Sequence, residues 1–111
     1  MFVLQRNGHG AAVLAGYIYV IGGESDSLIY DTVEKYDPSA NRWSMAASMT
    51  VPRCKHGVTA LDNYVYALGG WVGSEIGSTI ERFDPLTNVW EVYGTMPRAR
   101  YGFGIVAHQV L

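Results

Sequence analysis

Shifted by 47 residues, this chain lies over itself with no insertion or deletion. Arg6 falls on Arg53 and Arg100, His9 on His56, Gly10 on Gly57 and Gly104, Tyr17 on Tyr64, Tyr19 on Tyr66, and Gly22-Gly23 on Gly69-Gly70. The match continues through Thr32 and Thr79, Glu34 and Glu81, Asp37-Pro38 and Asp84-Pro85, Asn41 and Asn88, Trp43 and Trp90, and Met49 and Met96. Substitutions in register keep their chemical kind: Val33 with Ile80, Lys35 with Arg82, Tyr36 with Phe83. A fixed period of this length is the signature of a solenoid, propeller or array, in which one supersecondary unit stacks on copies of itself because no unit buries its apolar face alone.

Within each unit the pattern predicts four short strands, at 9–14, 17–22, 32–37 and 42–47, then at 56–61, 64–69, 79–84 and 89–94. Val, Ile, Tyr and Thr dominate these runs, Gly, Ser, Asn and Asp-Pro separate them, and no stretch sustains a helical period. Ala15-Gly16 and Asp62-Asn63 read as hairpin turns between the first two strands. Residues 37–41 and 84–88 read as tight turns before the fourth strand, since Pro fixes φ and Asp or Asn bonds its own backbone. With 49% hydrophobic and 13% aromatic residues against 16% charged, the chain has the apolar content of a folded domain rather than of a disordered tail. Residues 10–23 carry no charge, but a run of that length falls short of the roughly 18 to 20 residues of a membrane-spanning helix. The eight Lys and Arg are scattered and the net charge is −2, which argues against a nucleic-acid partner. One cysteine, Cys54, closes no intrachain disulfide and fits a reducing compartment such as the cytoplasm.

Four strands per unit at this period is the layout of a propeller blade. The order Tyr-Ile-Tyr-Val-Ile-Gly-Gly (17–23), Val-Glu-Lys-Tyr-Asp-Pro (33–38) and Trp43, repeated at 64–70, 80–85 and Trp90, resembles the kelch repeat. The resemblance covers residues 6 to 107. It implies an all-β fold: one kelch repeat at 6–52, a second at 53–99, and at 100–111 the first strand of an incomplete third. That makes two four-stranded antiparallel blades plus one extra strand, a partial β-propeller. Propellers close with roughly four to eight blades, so the sequence reads as part of a longer product, or as a unit that self-associates through its open blade faces. Residues 71–85 are similar to an actin-binding member of the BTB-kelch family. The family implies a protein partner, either actin or a substrate of a cullin-3 ubiquitin ligase, and a cytoplasmic location with a possible cytoskeletal association. The BTB and BACK regions by which BTB-kelch proteins dimerise and engage cullin-3 lie outside these residues.

The repeat also sorts scaffold from site, because a residue found at one register in both units serves what the units share. On that ground the double glycines are packing positions, with Trp43 and Trp90 as their expected neighbours. Arg6, Arg53 and Arg100 with Glu34 and Glu81 read as repeated ion pairs or arginine-to-carbonyl bonds. His9 and His56 recur, His108 is out of register, and no metal or cofactor site is expected. Cys54 and His56 have the residue types of a thiol nucleophile pair, but nothing in the sequence activates them, and no catalytic residue is assigned. The alternatives are a fragment of a copper-oxidase-like kelch propeller and a truncated product without activity.

What remains are loops in which the units differ. After the double glycine the chain reads Glu24 to Tyr30 in one unit and Trp71 to Gly77 in the other. Before the first strand it reads Asn7-Gly8, then Cys54-Lys55, then Tyr101-Gly102. Binding residues concentrate on loops held by a rigid sheet, and in kelch proteins these two loop sets form one partner-binding face. The resemblance therefore makes Lys55, Tyr101, Glu24, Tyr30, Trp71 and Glu75 the partner-binding candidates of a noncatalytic module.

Overall fold

The inner hairpin of each unit is closed by two residues that both take positive φ, Ala15 (55°) with Gly16 (83°) and Asp62 (50°) with Asn63 (69°). Two left-handed central residues give the turn whose twist matches that of the strands it joins. In the computed structural model, which describes residues 6–26 and 28–99, these turns link β1 (Gly10–Leu14) to β2 (Tyr17–Ile21) in the first unit. A short hairpin, β3 (Glu24–Ser25) with β4 (Leu28–Ile29), follows the double glycine, and then come β5 (Val33–Asp37) and β6 (Arg42–Ala46). The second unit runs β7 (Gly57–Leu61), β8 (Tyr64–Leu68), β9 (Thr79–Asp84) and β10 (Val89–Thr95).

Each unit is a four-stranded antiparallel sheet in chain order, β1-β2-β5-β6 and β7-β8-β9-β10, which is the blade arrangement expected from the repeat. The Asp-Pro turns form as anticipated: Asp37 Oδ1 accepts from the Ser39 amide (3.1 Å) and hydroxyl (2.8 Å), and Asp84 Oδ1 accepts from the Leu86 amide (2.9 Å). Strand ends agree with the periodicity to within a residue. Two details were not anticipated, the β3–β4 hairpin and a register shift between Val92 and Gly94 in β10. The extra strand expected at 101–107 lies outside the described residues. Among the described residues no helix is long and apolar enough to cross a membrane.

The core sits at the seam between the blades. Tyr19 and Ile21 of the first blade and Val65, Phe83 and Trp90 of the second are buried together, and Tyr19 meets Phe83 edge to face at 5.8 Å. Trp90 stacks on Phe83 at 5.3 Å, and its indole Nε1 donates to the Ala47 carbonyl across the seam (2.8 Å). Asn88 Oδ1 accepts from the Ala47 amide alongside (3.0 Å). Trp43, in the same register, stacks on Tyr36 at 4.9 Å and is only half-buried, because no blade covers that side of the first sheet among the described residues.

The tryptophans do not lie against the double glycines, contrary to expectation. Trp43 and Trp90 occupy the outermost strands, whereas the glycine pairs end the second strands, so the sheet itself separates them. The glycines make room for main chain instead. A Cβ on Gly22 (φ 67°) would stand 2.5 Å from the Arg53 carbonyl oxygen, and one on Gly70 (φ 85°) would stand 2.6 Å from that of Cys54.

Beside the glycines Arg6 and Arg53 make both kinds of contact anticipated for the repeated arginines, while Arg100 lies outside the described residues. Arg53 donates from Nε to Glu81 Oε2 (3.0 Å), from Nη1 to the carbonyls of Gly69 (2.9 Å) and Thr79 (3.2 Å), and from Nη2 to Thr79 Oγ1 (2.7 Å). Both side chains of this ion pair are 0% exposed. The second oxygen of Glu81 accepts from the Thr50 amide at 2.7 Å. Arg6 repeats the set on Glu34, Gly22 and Thr32. A buried ion pair is stabilising only when its remaining donors and acceptors are also satisfied, and here every nitrogen of the Arg53 guanidinium has a partner.

The glycine geometry yields a direct test. Gly22→Ala combines a left-handed φ with a backbone obstruction and should cost roughly 3 kcal/mol or more. Gly94→Ala meets nothing within 4 Å and has no positive φ, so it should stay within about 1 kcal/mol of the parent. Urea unfolding midpoints would show this, and equal midpoints for the two variants would contradict the packing described.

Candidate partner-binding face

A two-bond main-chain strap joins the segment before the first strand of each unit to the segment after its double glycine. Asn7 and Glu24 exchange N–H to O bonds of 2.8 and 2.8 Å, and Cys54 and Trp71, in the same register, exchange bonds of 3.1 and 2.8 Å. Three further bonds sew the units together: Gly23 N–H to the Arg53 carbonyl (2.7 Å), Arg53 N–H to the Tyr30 carbonyl (3.1 Å), and Lys55 N–H to the Gly8 carbonyl (2.6 Å). The two loop sets of both blades therefore form one continuous surface.

On that surface Glu24, Lys55 and Trp71 come together with Ile76 around a depression of about 300 Å³ floored by Cys54. Trp71 is 38% and Ile76 37% exposed, and the two are paired across the loop, which closes with Gly77 N–H to the Gly70 carbonyl at 2.6 Å. A neighbouring depression of about 240 Å³, which shares Ile76, is lined by Val51, Val72 and Glu75 among others. Lys55 is exposed and has φ 54°, in register with Gly8 at 64°. Glu24 is half-buried. Tyr30 stands apart from both depressions: its ring lies under the Arg6 guanidinium, 5.4 Å from its centroid, and its amide donates to the Gly23 carbonyl (2.8 Å). Tyr101 lies outside the described residues.

Ile76 and Val51 were missed by sequence reasoning. Ile76 recurs as Ile29, so the rule that recurring residues are scaffold removed it, although its loop position was a signal in its favour. Val51 precedes the second unit, in a connection whose exposure the repeat does not report.

The Cys54–His56 pair is not poised for nucleophilic chemistry. Burial and then the Glu24 carboxylate push the Cys54 thiol up, which keeps it protonated at neutral pH. His56 is buried against the glycines of the first blade, and burial, followed by the positive charge of Arg53, brings it down to about 4. Among the described residues no group of three His, Cys, Asp or Glu side chains is placed to hold a metal ion.

Comparison with known proteins bears on what this face belongs to. The family model described as Kelch motif matches residues 5–50 and again 52–97. The chain belongs to the kelch-repeat family. Kelch-like protein 25 of Homo sapiens is 41% identical over 56 residues, 42% of this chain and 10% of that protein. Kelch-like protein 9 of Mus musculus is 38% identical over 53 residues, 43% of this chain and 9% of that protein. For Kelch-like protein 13 of Homo sapiens the figures are 38% over 53 residues, 43% and 8%. The matched part of this kelch chain thus spans a tenth or less of the length of these relatives. None of the three matches speaks to the finer likeness of residues 71–85 to the actin-binding kelch protein IPP.

His56 gives this seam a pH signature. Its folded value lies below the ordinary 6.5, so between about 6.5 and 4 the unfolded chain binds the extra proton, and stability falls as pH is lowered through that window. The loss should reach up to about 3 kcal/mol. In His56→Gln the part of the slope due to this group should vanish, which urea unfolding of parent and variant across that range would measure. Identical slopes would show that His56 takes up its proton in the folded protein as readily as in the unfolded chain.

Proposed function

We propose that this kelch module is a noncatalytic protein-recognition element and that its strapped loop face is the contact surface, as in the substrate-binding region of a cullin-3 ubiquitin ligase adaptor. The observation that carries this reading is how the two residue sets divide. Recurring Arg, Glu, Thr and Gly are consumed by the blades, whereas Glu24, Lys55 and Trp71 project from a main-chain frame around one depression. Aromatic side chains at a pocket edge are the usual anchors of protein recognition, and Trp71 supplies one. Tyr101 and Glu75 belong to the same loop sets, and Tyr30 contributes by holding its loop against Arg6.

A second reading, binding to actin with a location on the cytoplasmic cytoskeleton, is supported by the likeness at residues 71–85, which include Trp71 and Glu75. Self-association also has a surface to use. Tyr36 and Trp43 are half-buried on one open sheet face, and Tyr93 is 57% exposed on the outer strand of the other blade.

Photo-crosslinking distinguishes these readings. Benzoylphenylalanine placed at position 55, 71 or 75 in cells is expected to capture a protein partner, while the same probe at 86 or 92 captures none. Capture from 86 or 92 alone would overturn the loop-face reading. Pelleting of the chain with filamentous actin, abolished by Trp71→Ala, would select actin as the partner.

A further inference from the structure

We infer that Lys55 is the specificity-determining residue of the loop face, and that the segment it selects carries a single carboxylate beside an apolar side chain. This rests on the loop face being the contact surface.

The backbone at position 55 is left-handed, with φ 54°, a conformation that disfavours any residue with a Cβ. The first unit places Gly8 there with φ 64°, and the sequence has Gly102 at the next repeat. The scaffold asks only for an amide at this position, since the bond to the Gly8 carbonyl is made by the main chain. A lysine side chain contributes nothing to that bond. Its stem passes over Gly8, where an added Cβ would come 3.2 Å from the Lys55 Cγ. Its ammonium has no ion-pair partner among the described residues, where the pairs are Arg6 with Glu34, Arg53 with Glu81 and Arg82 with Glu91. Strain retained where glycine would serve points to a use for the side chain.

The surroundings narrow that use. Glu24, the other charge in the depression, is half-buried, whereas Lys55 is exposed, so Lys55 is the charge more open to a partner. Trp71 and Ile76 provide apolar surface in the same depression. Asp26 and Glu75 are exposed at the tips of the two loops that follow the double glycines. An acidic rim repels a run of carboxylates but leaves room for one that reaches Lys55. The chemistry that fits is therefore one Asp or Glu, flanked by uncharged or basic residues, with a leucine-like or aromatic neighbour.

The test is selection of a displayed random dodecapeptide library on the 111-residue chain and on three variants. The parent should enrich peptides with one acidic residue adjacent to an apolar one. Lys55→Gly should lose the acidic preference, keep the apolar one and unfold at higher urea, which separates lost recognition from lost folding. Lys55→Glu should turn the preference to Lys or Arg, and Trp71→Ala should lose the apolar residue. In the leading peptide, Asp→Asn should weaken parent binding by about fivefold at low salt and by less at high salt. An unchanged preference in Lys55→Gly, a parent pool without acidic enrichment, or no enriched peptide would overturn the inference. Cross-linking from position 71 alongside any of those results would leave the loop face standing and remove only the role of Lys55, whereas failure of cross-linking would remove both.

Discussion

The arrangement of the two blades depends on one arginine that belongs to both. The side chain of Arg53 ties the end of β8 and the start of β9 together through Gly69, Thr79 and Glu81, while its amide and carbonyl bond Tyr30 and Gly23 of the preceding unit. A guanidinium with no exposure would be costly if any donor were idle. Removing Glu81 would strand a buried charge at a cost of roughly 3–5 kcal/mol, a large fraction of the roughly 5–15 kcal/mol by which a domain is stable. Several recurring features follow from this contact. Glycine is required at 22 and 70 because the main chain of 53–54 passes against them, and His56 is held neutral partly because the Arg53 charge is near.

The fold was legible because its information is written twice. A turn such as Asp62-Asn63 is ambiguous alone, but its alignment with Ala15-Gly16 identifies both as left-handed pairs. The partners of the glycines were not legible. Trp43 and Trp90 are the largest recurring side chains and the glycines the smallest, so complementarity of size suggests that they meet. Sheet order forbids it, and sheet order is a relation between strands that no single-strand pattern encodes. What fills the glycine gap is backbone, which has no signature in side-chain composition.

The candidate site was legible in part, for a related reason. Difference between units identified Glu24, Lys55 and Trp71, which the structure gathers around one depression, and Glu75, which lines the next. The same criterion discarded Ile76, whose counterpart Ile29 is identical although the loops around them differ in shape, a β3–β4 hairpin in one unit and an isolated bridge in the other. Tyr30 diverges from its counterpart Gly77 yet lies beneath Arg6 rather than on the depression. Divergence therefore marks positions released from the common scaffold, and whether such a position faces a partner depends on local loop geometry.

The straps between Asn7 and Glu24 and between Cys54 and Trp71 are made wholly of main-chain atoms. Such bonds are blind to side-chain identity, and the same frame accepts asparagine or cysteine on one side and glutamate or tryptophan on the other. Asn7 and Trp71 carry exposed side chains and can be exchanged by point substitution without retuning the sheet beneath them, whereas Cys54 is buried. A propeller of this kind can acquire a new ligand while inheriting its architecture unchanged, because the bonds that shape the rim never read the letters displayed on it.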